Sequence, residues 1–270
     1  DKIDGKDPKT ILTSVANALM EKLKSKNTNE LISVFSGLND LLDRKQIIFY
    51  SKSYDIEKAF ARRGIDGSLK SIGGDFLAIS EDNTSIDKSS AFIDRTLKRD
   101  IKIDPQGNVT INVEIKRYQN RPKDLAYEDP KNGFNYLIKE NKSDIKFALP
   151  KGSKLSYDPN SLKINKVKDK GPYDFYEFPT ALEPLVESVY RFSYSPPYKL
   201  AMFTDKIDVS AFLQLQNGGW PYKLVNSVQM PEGWKYVGSN VGPIDQKDGA
   251  VIYDNIVDKD KYLNFTYAKQ

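Results

Sequence analysis

Apolar residues recur every three or four positions in the first 45 residues, which predicts two amphipathic helices. The first follows the Asp7-Pro8 pair, and its apolar face comprises Leu12, Val15, Leu19 and Leu23. The second follows Asn27, because Asn27 and Glu30 have the spacing of a capping box. Its broad apolar face comprises Leu31, Val34, Phe35, Leu38, Leu41 and Leu42. Both faces are expected to need a partner that covers them.

Three shorter elements are predicted between the second helix and residue 80. Residues 46–50 form an apolar run that predicts a short buried strand, and residues 75–80 predict another strand. Residues 55–63 predict a third helix that ends at Gly64. Helices that alternate with strands indicate an α/β or α+β element in this part of the chain.

The apolar period changes to two near residue 92. One face of this alternation contains Ile93, Arg95, Leu97, Arg99, Ile101 and Ile103. A turn at residues 104–107 leads to a second alternating run, with Val109, Ile111, Val113 and Ile115 on one face, so a long β-hairpin is predicted.

Further β-rich segments, separated by Gly, Pro, Asn and Asp, continue to the end of the chain at intervals typical of sandwiches. They are residues 135–138, 145–149, 162–167, 175–178, 186–194, 199–203, 212–216, 222–229, 234–237, 251–256 and 262–267.

These patterns predict an α+β protein in which a small, helix-rich α/β element precedes a predominantly antiparallel, immunoglobulin-like β-sandwich region. The helix-rich element is assigned to residues 1–97 and a sandwich-like module to residues 98–197. Residues 198–270 are either a second β module or a continuation of the same sandwich. Ser195-Pro196-Pro197 is the predicted joint, because proline ends strand ladders and stiffens connections.

The composition excludes several kinds of site. The 270 residues include no Cys and no His, which excludes disulfides, thiolate nucleophiles, His-ligated metals and the Ser-His-Asp triad. The formal net charge of +4 comes from interspersed acidic and basic residues, a pattern typical of a solvated surface and not of a nucleic-acid interface. No apolar stretch approaches the ~20 residues of a transmembrane helix, and the first residues lack the pattern of a signal peptide.

A series of short segments occurs in a characteristic order along most of the chain. In the first hundred residues they are 29–31, 41–51, 55–60, 64–67, 73–79, Asn83, Lys88-Ser89, 92–93 and Arg95. Downstream they are 149–155, 198–200, 214–219 and 230–234. In order and spacing they resemble the C-terminal half of the bacterial proteins catalogued as domain of unknown function 4012. Residues 84–87 depart from that family, which tends to have a glycine pair there.

The resemblance implies an extracytoplasmic bacterial protein that is anchored in a membrane. Its anchoring helix and its first domain are expected to be missing from this sequence. The resemblance implies no reaction and carries over no catalytic residue.

Carboxylates are the remaining general acid–base groups. Asp82 with Asp87, or Asp245 with Asp248, could flank a glycosidic bond in an enzyme. The sequence favours the other interpretation, in which these residues form turns or carry solvated charge in loops.

Other common site motifs are incomplete. Asp254, Asp258 and Asp260 lack the further ligands, the central Gly and the terminal Glu of an EF-hand. The glycine pairs match no phosphate-binding loop, so we interpret them as turns. Ser153 and Ser239 lie in no nucleophile elbow, which leaves a Ser–Lys pair as an open alternative. We therefore expect no metal, no cofactor and no assigned catalytic residue.

Four aromatic residues form the candidate ligand-binding set. Trp220 and Tyr222 begin one predicted strand, and Trp234 and Tyr236 begin another. If the two strands pair, rings on one face form either a packed cross-strand cluster or an exposed platform for sugar rings or a protein partner. Packing is the favoured interpretation, because large aromatic side chains are mostly buried.

We therefore expect a non-enzymatic, extracytoplasmic binding or scaffold module of a bacterial cell-surface protein. The expected partners are a cell-envelope glycan or a surface protein, with no nucleic acid and with membrane contact only through the missing anchor. The alternative is a carboxylate-dependent enzyme that acts on cell-envelope glycan, which needs a concave pocket with converging carboxylates of perturbed pKa. A third interpretation is a spacer that holds an N-terminal domain away from the envelope.

Overall fold

Strands predominate in the computed structural model, which describes residues 8–70, 72–85, 89–120 and 140–270. They account for 48% of the residues and helices for 18%, which confirms the predicted α+β protein with a large β-sandwich. The helices are α1 (Pro8–Lys24), α2 (Thr28–Asp43) and α3 (Tyr54–Arg63), and a short 3-10 helix spans Ser89–Phe92. All three α-helices lie before residue 65, as predicted.

The described residues contain fourteen strands. The first seven are β1 (Asp75–Asn83), β2 (Ile93–Ile103), β3 (Val109–Gln119), β4 (Asn141–Pro150), β5 (Lys154–Ser156), β6 (Asn165–Lys170) and β7 (Tyr173–Leu182). The others are β8 (Glu187–Ser195), β9 (Lys206–Leu215), β10 (Tyr222–Gln229), β11 (Trp234–Ser239), β12 (Asp245–Lys247), β13 (Ala250–Val257) and β14 (Lys261–Lys269).

The strands form two seven-stranded sheets that face each other. Sheet A has the order β11-β14-β9-β1-β4-β7-β6, and sheet B has the order β12-β13-β10-β2-β3-β8-β5. Most neighbours are antiparallel, but β1 pairs with β9 and β2 pairs with β10 in parallel. Each sheet therefore combines strands from before and after residue 197, and residues 97 and 98 are neighbours within β2.

The inner faces of the two sheets bury one continuous apolar core that extends from Leu77 on β1 to Tyr267 on β14. The alternating pattern of β2 and β3 produces this burial, because every second side chain of a strand points to the same face. Ile93 pairs with Gln119 and Ile103 with Val109, so the long hairpin is confirmed. Each fully buried Leu, Ile or Phe contributes about 1.5–3 kcal/mol relative to an exposed position.

A second, smaller cluster covers part of the outer face of sheet A. Phe76 stacks on Tyr173 with 4.2 Å between ring centres, and Phe212 packs beside them. Leu69 and Ile72, from the segment before β1, cover these rings. That segment therefore lies against the sheet and forms the border of a groove described below.

The predicted capping box of α2 is confirmed. The backbone N–H of Glu30 donates to Oδ1 of Asn27, and the backbone N–H of Asn27 donates to Oε2 of Glu30, both at 3.0 Å. In the described part of the chain the apolar face of α1 is not covered, since Val15 is 60% exposed and Leu19 is 57% exposed, whereas Leu42 on the apolar face of α2 is buried. Of the described helices, none combines the length and the apolar composition needed to cross a membrane.

Two ion pairs connect the end of α2 to the sandwich. Arg44 pairs with Asp258 at 2.8 Å, and Nζ of the buried Lys45 lies 2.9 Å from Asp260. The carbonyl of Lys45 also accepts the N–H of Gly218 at 2.8 Å. Burial lowers the pKa of Lys45, and the charge of Asp260 opposes that shift. The two groups therefore stabilise each other at this junction.

Two predicted strands are wrong. Residues 46–50 form no strand, because Phe49 packs on Phe60 of α3 with 5.4 Å between ring centres, while Tyr50 is 79% exposed. Residues 199–203 form an irregular turn with one bridge, to Asn108, within the described residues, and Phe203 is 85% exposed. Phe49 thus packs on a helix, whereas Leu200 and Met202 pack against the sandwich core without joining a ladder. The strand predicted at 135–138 lies outside the described residues.

Candidate functional site

The four candidate aromatic residues lie at three separate places. Tyr222 begins β10 in sheet B, whereas Trp234 and Tyr236 belong to β11 in sheet A, so the two strands do not pair. Trp220 precedes β10 and is 50% exposed. The structure therefore brings together Trp234 and Tyr236, but it does not join them to Trp220 or Tyr222.

Trp234 and Tyr236 line a cavity of about 270 Å³ beside the edge strands β11 and β12. Both rings are partly buried against the core. Tyr236 meets Tyr267 edge-on at 5.8 Å, and its hydroxyl donates to Oγ of Ser239 at 3.0 Å. Nζ of Lys269 lies 5.8 Å from the centre of the Trp234 ring. Trp234 and Tyr236 are therefore packed against the core at the edge strands β11 and β12.

Tyr222 is buried and belongs to an ionic network between the sheets. Its hydroxyl donates to Oε1 of Glu81 at 2.9 Å. Nε and Nη2 of Arg95 each bind the same carboxylate at 3.0 Å, and Nη2 of Arg117 lies 3.3 Å from it. Burial acts to raise the pKa of Glu81, but the charges of Arg117 and Arg95 hold that pKa below its usual value. Glu81 is therefore ionised and connects β1 to Arg95, Arg117 and Tyr222 of sheet B. A carboxyl group with a lowered pKa is unsuited to act as a general acid.

The network extends into sheet A through Arg117. This side chain donates to Oγ1 of Thr180 and to Oδ1 of Asn141, both at 2.6 Å. The sequence does indicate that guanidinium groups are buried between the sheets. Arg95 and Arg99 share one face of the alternating run with Ile93, Leu97 and Ile101. Their acidic partners on β1 are distant in sequence and were missed.

A second ionic pair lies between the sheets, at the start of β1. Asp75 pairs with the fully buried Arg99, and Oδ1 of Asp75 accepts the hydroxyl of Tyr194 at 2.6 Å. Burial raises the pKa of Tyr194, so this hydroxyl remains a donor. Both acid–guanidinium pairs therefore connect β1 to the centre of sheet B.

A groove of about 340 Å³ lies on the outer face of sheet A, where β1, β4 and β9 run close together. Its floor contains the small side chains of Ala78, Ser80 and Ala148, which give it depth. Leu69 and Phe175 stand beside this floor. We call it the amide groove, because its polar groups come mainly from Gln214, Gln216 and Asn217.

The amides are held in place by backbone groups. Nε2 of Gln214 donates to the carbonyl of Ser68 at 2.8 Å, and Oε1 of Gln214 accepts the N–H of Lys70 at 2.9 Å. Oε1 of Gln216 accepts the N–H of Glu81 at 2.9 Å, and Nδ2 of Asn217 donates to the carbonyl of Gly67 at 3.2 Å. Within the described residues, Nε2 of Gln216 and Oδ1 of Asn217 remain without a hydrogen bond. One amide nitrogen and one amide oxygen are therefore available to a ligand.

No carboxylate is among the described residues that line the amide groove. Its charged group is the ammonium of Lys146, which pairs with Asp82 at the border. The groove combines an aromatic side chain, small apolar side chains and amides. This combination suits a ligand with hydroxyl and amide groups and an apolar face.

Of the two proposed carboxylate pairs, Asp245 with Asp248 lies wholly within the described residues. Asp82 lies on β1, where it binds Lys146, and Asp87 lies outside the described residues. Asp245 belongs to β12, and Asp248 adopts a positive φ of 52° in the following turn. Asp82 and Asp245 are thus strand residues, which differs from the loop positions that the sequence favoured.

The other acidic cluster consists of separate ion pairs. Asp254 binds Lys223 at 3.4 Å, Asp258 binds Arg44, and Asp260 binds Lys45. Among the residues that the structure describes, no group of three or more Asp or Glu side chains is arranged to hold a metal ion.

Comparisons with known proteins give weak structural similarities at low sequence identity. No protein-family model matches the chain, and no curated protein matches it. A candidate nutrient-binding protein from Legionella pneumophila is 14% identical, with a TM-score of 0.37 over 71% of this chain and 72% of that one. An M1 zinc metallopeptidase variant from Deinococcus radiodurans is 8% identical, with a TM-score of 0.29 over 65% of this chain and 42% of that one. At these values, neither similarity carries an argument about function.

Proposed function

We propose that the chain is a non-enzymatic binding module that holds a neutral, hydroxyl-rich and amide-rich ligand, such as a cell-envelope glycan, in the amide groove. The observation that carries the proposal is the convergence of the available Gln216 and Asn217 groups beside a floor of small residues. An amide can both donate to and accept from a sugar hydroxyl or an acetamido group. Phe175 supplies an apolar surface for the ring of such a ligand.

The character of the groove favours binding over catalysis. General acid–base catalysis of glycoside hydrolysis requires two carboxyl groups on opposite sides of the scissile bond. The described lining residues of the amide groove supply none. The fixed backbone contacts of Gln214 instead support a preformed site that orders few side chains on binding.

The proposal includes the setting that the sequence resemblance implied. We place the module on the extracytoplasmic surface of a bacterium, within a membrane-anchored protein. The immunoglobulin-like character of the sandwich is part of the same proposal. A scaffold or spacer role is compatible with this setting, but it leaves the amide groove without a use.

Calorimetric titration with a soluble, β-1,4-linked N-acetylglucosamine tetramer tests the proposal. We expect the wild type to bind the tetramer and Ser80→Trp to abolish binding, because a large ring on the floor fills the groove. Asn217→Ala should weaken binding by roughly tenfold, the effect of one lost hydrogen bond. Ser193→Trp on the outer face of sheet B is the matched control and should bind normally.

Trp220→Ala separates this proposal from the aromatic-platform interpretation. Trp220 is exposed and does not line the amide groove, so its removal should leave binding unchanged. Loss of binding in Trp220→Ala with retention in Ser80→Trp would overturn the proposal in favour of the aromatic site. No binding of the tetramer by the wild type would overturn the glycan ligand.

One observation favours the alternative, a carboxylate-dependent enzyme. A groove of about 630 Å³ on the outer face of sheet B has carboxylates of Asp100, Glu114 and Asp158 along it. Arg191 binds Glu114 at 2.7 Å and Lys98 binds Asp100 at 3.2 Å, so two of these carboxylates are occupied by ion pairs. Release of reducing ends from bacterial sacculi by the wild type, lost in Asp158→Asn, would support the enzyme and contradict our proposal.

A further inference from the structure

The buried charges between the two sheets do not balance. The interior network described above contains three guanidinium groups and two carboxylates, from Arg95, Arg99, Arg117, Asp75 and Glu81. The other buried acidic and basic groups among the described residues have partners of their own, since Lys45 pairs with Asp260 and Asp174 pairs with Lys166. Among the described residues, the interior therefore holds one more positive charge than negative charges. The surplus lies where Arg95 and Arg117 share Glu81, since Arg99 pairs with Asp75, and an unneutralised interior charge is costly.

Arg99 has unused donors at the centre of this region. It is 0% exposed, and within the described residues its Nε and Nη1 have no hydrogen-bond partner. Asn226 is also 0% exposed, and neither atom of its amide has a partner there. The two residues are register partners on the adjacent parallel strands β2 and β10, and both lie on the buried face. Neighbouring strands are about 4.8 Å apart, so the two side chains stand beside each other.

A cavity of about 260 Å³ reaches Asp75, the partner of Arg99. Its lining includes Gly74 at the start of β1, then Asp75, Ile101 and Tyr198. Burial raises the pKa of Tyr198 to about 12, and the charge of Arg99 acts in the opposite direction. Arg99 is therefore near the Tyr198 side chain, and the Tyr198 hydroxyl stays protonated and able to donate.

We propose that a small monovalent inorganic anion, of the chloride type, binds between the sheets beside Arg99 and Asn226. The Nη1 group of Arg99 and the amide nitrogen of Asn226 would donate to it. Across the described interior as a whole, a single negative charge would balance the surplus of one positive charge, whereas a divalent oxyanion would exceed it. The anion is independent of any ligand in the amide groove, which lies on the opposite face of sheet A.

Thermal unfolding in sodium chloride and in sodium gluconate, at equal ionic strength and pH, tests the proposal. Gluconate is too large to replace a halide between packed strands. We expect chloride to raise the unfolding midpoint by about 5 °C at roughly a hundred times its dissociation constant, because a ligand that binds only the folded state stabilises it. Equal midpoints in the two salts would overturn the proposal and leave buried water as the partner of these groups.

Two variants with the same substitution locate the effect. Asn226→Leu removes the amide donor and should remove the difference between chloride and gluconate. Asn112→Leu, on the exposed face of the neighbouring strand β3, should retain it. Retention of the full chloride effect in Asn226→Leu would overturn the assignment to this site.

Crystals of the wild-type chain grown in sodium bromide test the proposed anion site even if Asn226→Leu does not fold. We expect an anomalous bromide peak within contact distance of Arg99 Nη1 and Asn226 Nδ2. A bromide peak that occurs only elsewhere, for example beside Arg117 and Gln119 or at surface lysines, would overturn the proposal. The absence of any peak would do so as well.

Discussion

Glu81 is the residue on which the interior ionic network depends. Its carboxylate accepts hydrogen bonds from Arg95 and Tyr222 and lies close to Arg117. A buried ion pair contributes little compared with an apolar replacement, but removal of one partner leaves the remaining charge buried without compensation. The network therefore fixes the packing of β1 on sheet B more than it adds stability.

Glu81→Gln should lower the free energy of unfolding by about 3–5 kcal/mol, because it leaves two buried guanidinium groups without their anion. Glu114→Gln is the matched control. Its carboxylate pairs with Arg191, whose side chain is 70% exposed, so the expected loss is about 1 kcal/mol or less. Urea denaturation of both variants measures the difference. Equal losses would show that the ionic network contributes no more than a surface pair.

The same residue predicts the response to acid. The pKa of Glu81 in the folded chain lies below the ordinary value of 4.5. As the pH falls below about 4.5, the unfolded chain takes up the proton first, so the stability contributed by Glu81 declines until the pH passes its folded-state pKa. The free energy of unfolding should therefore fall more steeply with acid in the wild type than in Glu81→Gln. Parallel curves from pH 6 to pH 3 would contradict this assignment.

At the residue scale, the sequence indicated which side chains face the interior, but it did not indicate which side chains they contact there. The alternation placed Arg95 and Arg99 on the apolar face, and the structure has both buried there. Their partners Glu81 and Asp75 lie on a strand of the other sheet, and no local pattern relates the two strands. For the same reason, the separation of Tyr222 from Trp234 depends on sheet membership, which neighbouring residues do not encode.

At the scale of elements, the hairpin of β2 and β3 was predictable because its turn chemistry is local. Oδ1 of Asp104 accepts the N–H groups of Gln106 and Asn108, both at 2.9 Å. Gly107 closes the turn with a φ of +78°, where a Cβ would also collide with the carbonyl oxygen of Leu200. Two independent constraints therefore require glycine at this position.

Gly107→Ala should consequently destabilise the chain by more than the ~1 kcal/mol that the left-handed backbone alone costs. Gly37→Ala provides the control, since a Cβ at Gly37 in α2 would meet nothing within 4 Å. That substitution should be neutral or stabilising by up to about 1 kcal/mol, the difference in helix propensity. Thermal or urea unfolding compares the two variants. A neutral Gly107→Ala would mean that the turn can move away from Leu200.

The failed strand predictions have a common physical cause. Residues 46–50 and 199–203 carry β-forming side chains, but a strand forms only where a neighbour offers unpaired backbone groups. Phe49 instead packs on Phe60 of α3, and the N–H of Leu200 bonds to the carbonyl of Gly107. Local propensity therefore identified side chains that favour strands, but it carried no information on which strand edges were available for pairing.

At the scale of the whole molecule, α1 is only loosely integrated. Its described side chains are exposed apart from the partly buried Leu23, whereas the residues after α2 reach the sandwich through Lys45. Deletion of residues 1–26 should therefore change the free energy of unfolding by less than about 1 kcal/mol. Deletion of residues 1–45 should cost more, because Asp260 then loses its buried partner. Thermal midpoints of the two shortened chains test this, and a large loss on removing α1 alone would contradict it.

The parallel pairs at the centre of both sheets have a consequence for the order in which the protein folds. β1 lies between β4 and β9, and β2 lies between β3 and β10, so the earliest strands complete their pairing with some of the last. Glu81 bonds to Gln216, for example, across 135 positions of sequence. Such distant contacts form slowly, and one edge of β1 and one edge of β2 remain unpaired and aggregation-prone until β9 and β10 pair with them. Until residues 198–270 join the fold, each sheet therefore stays open at its middle, and one edge each of β1 and β2 is exposed to incorrect pairing.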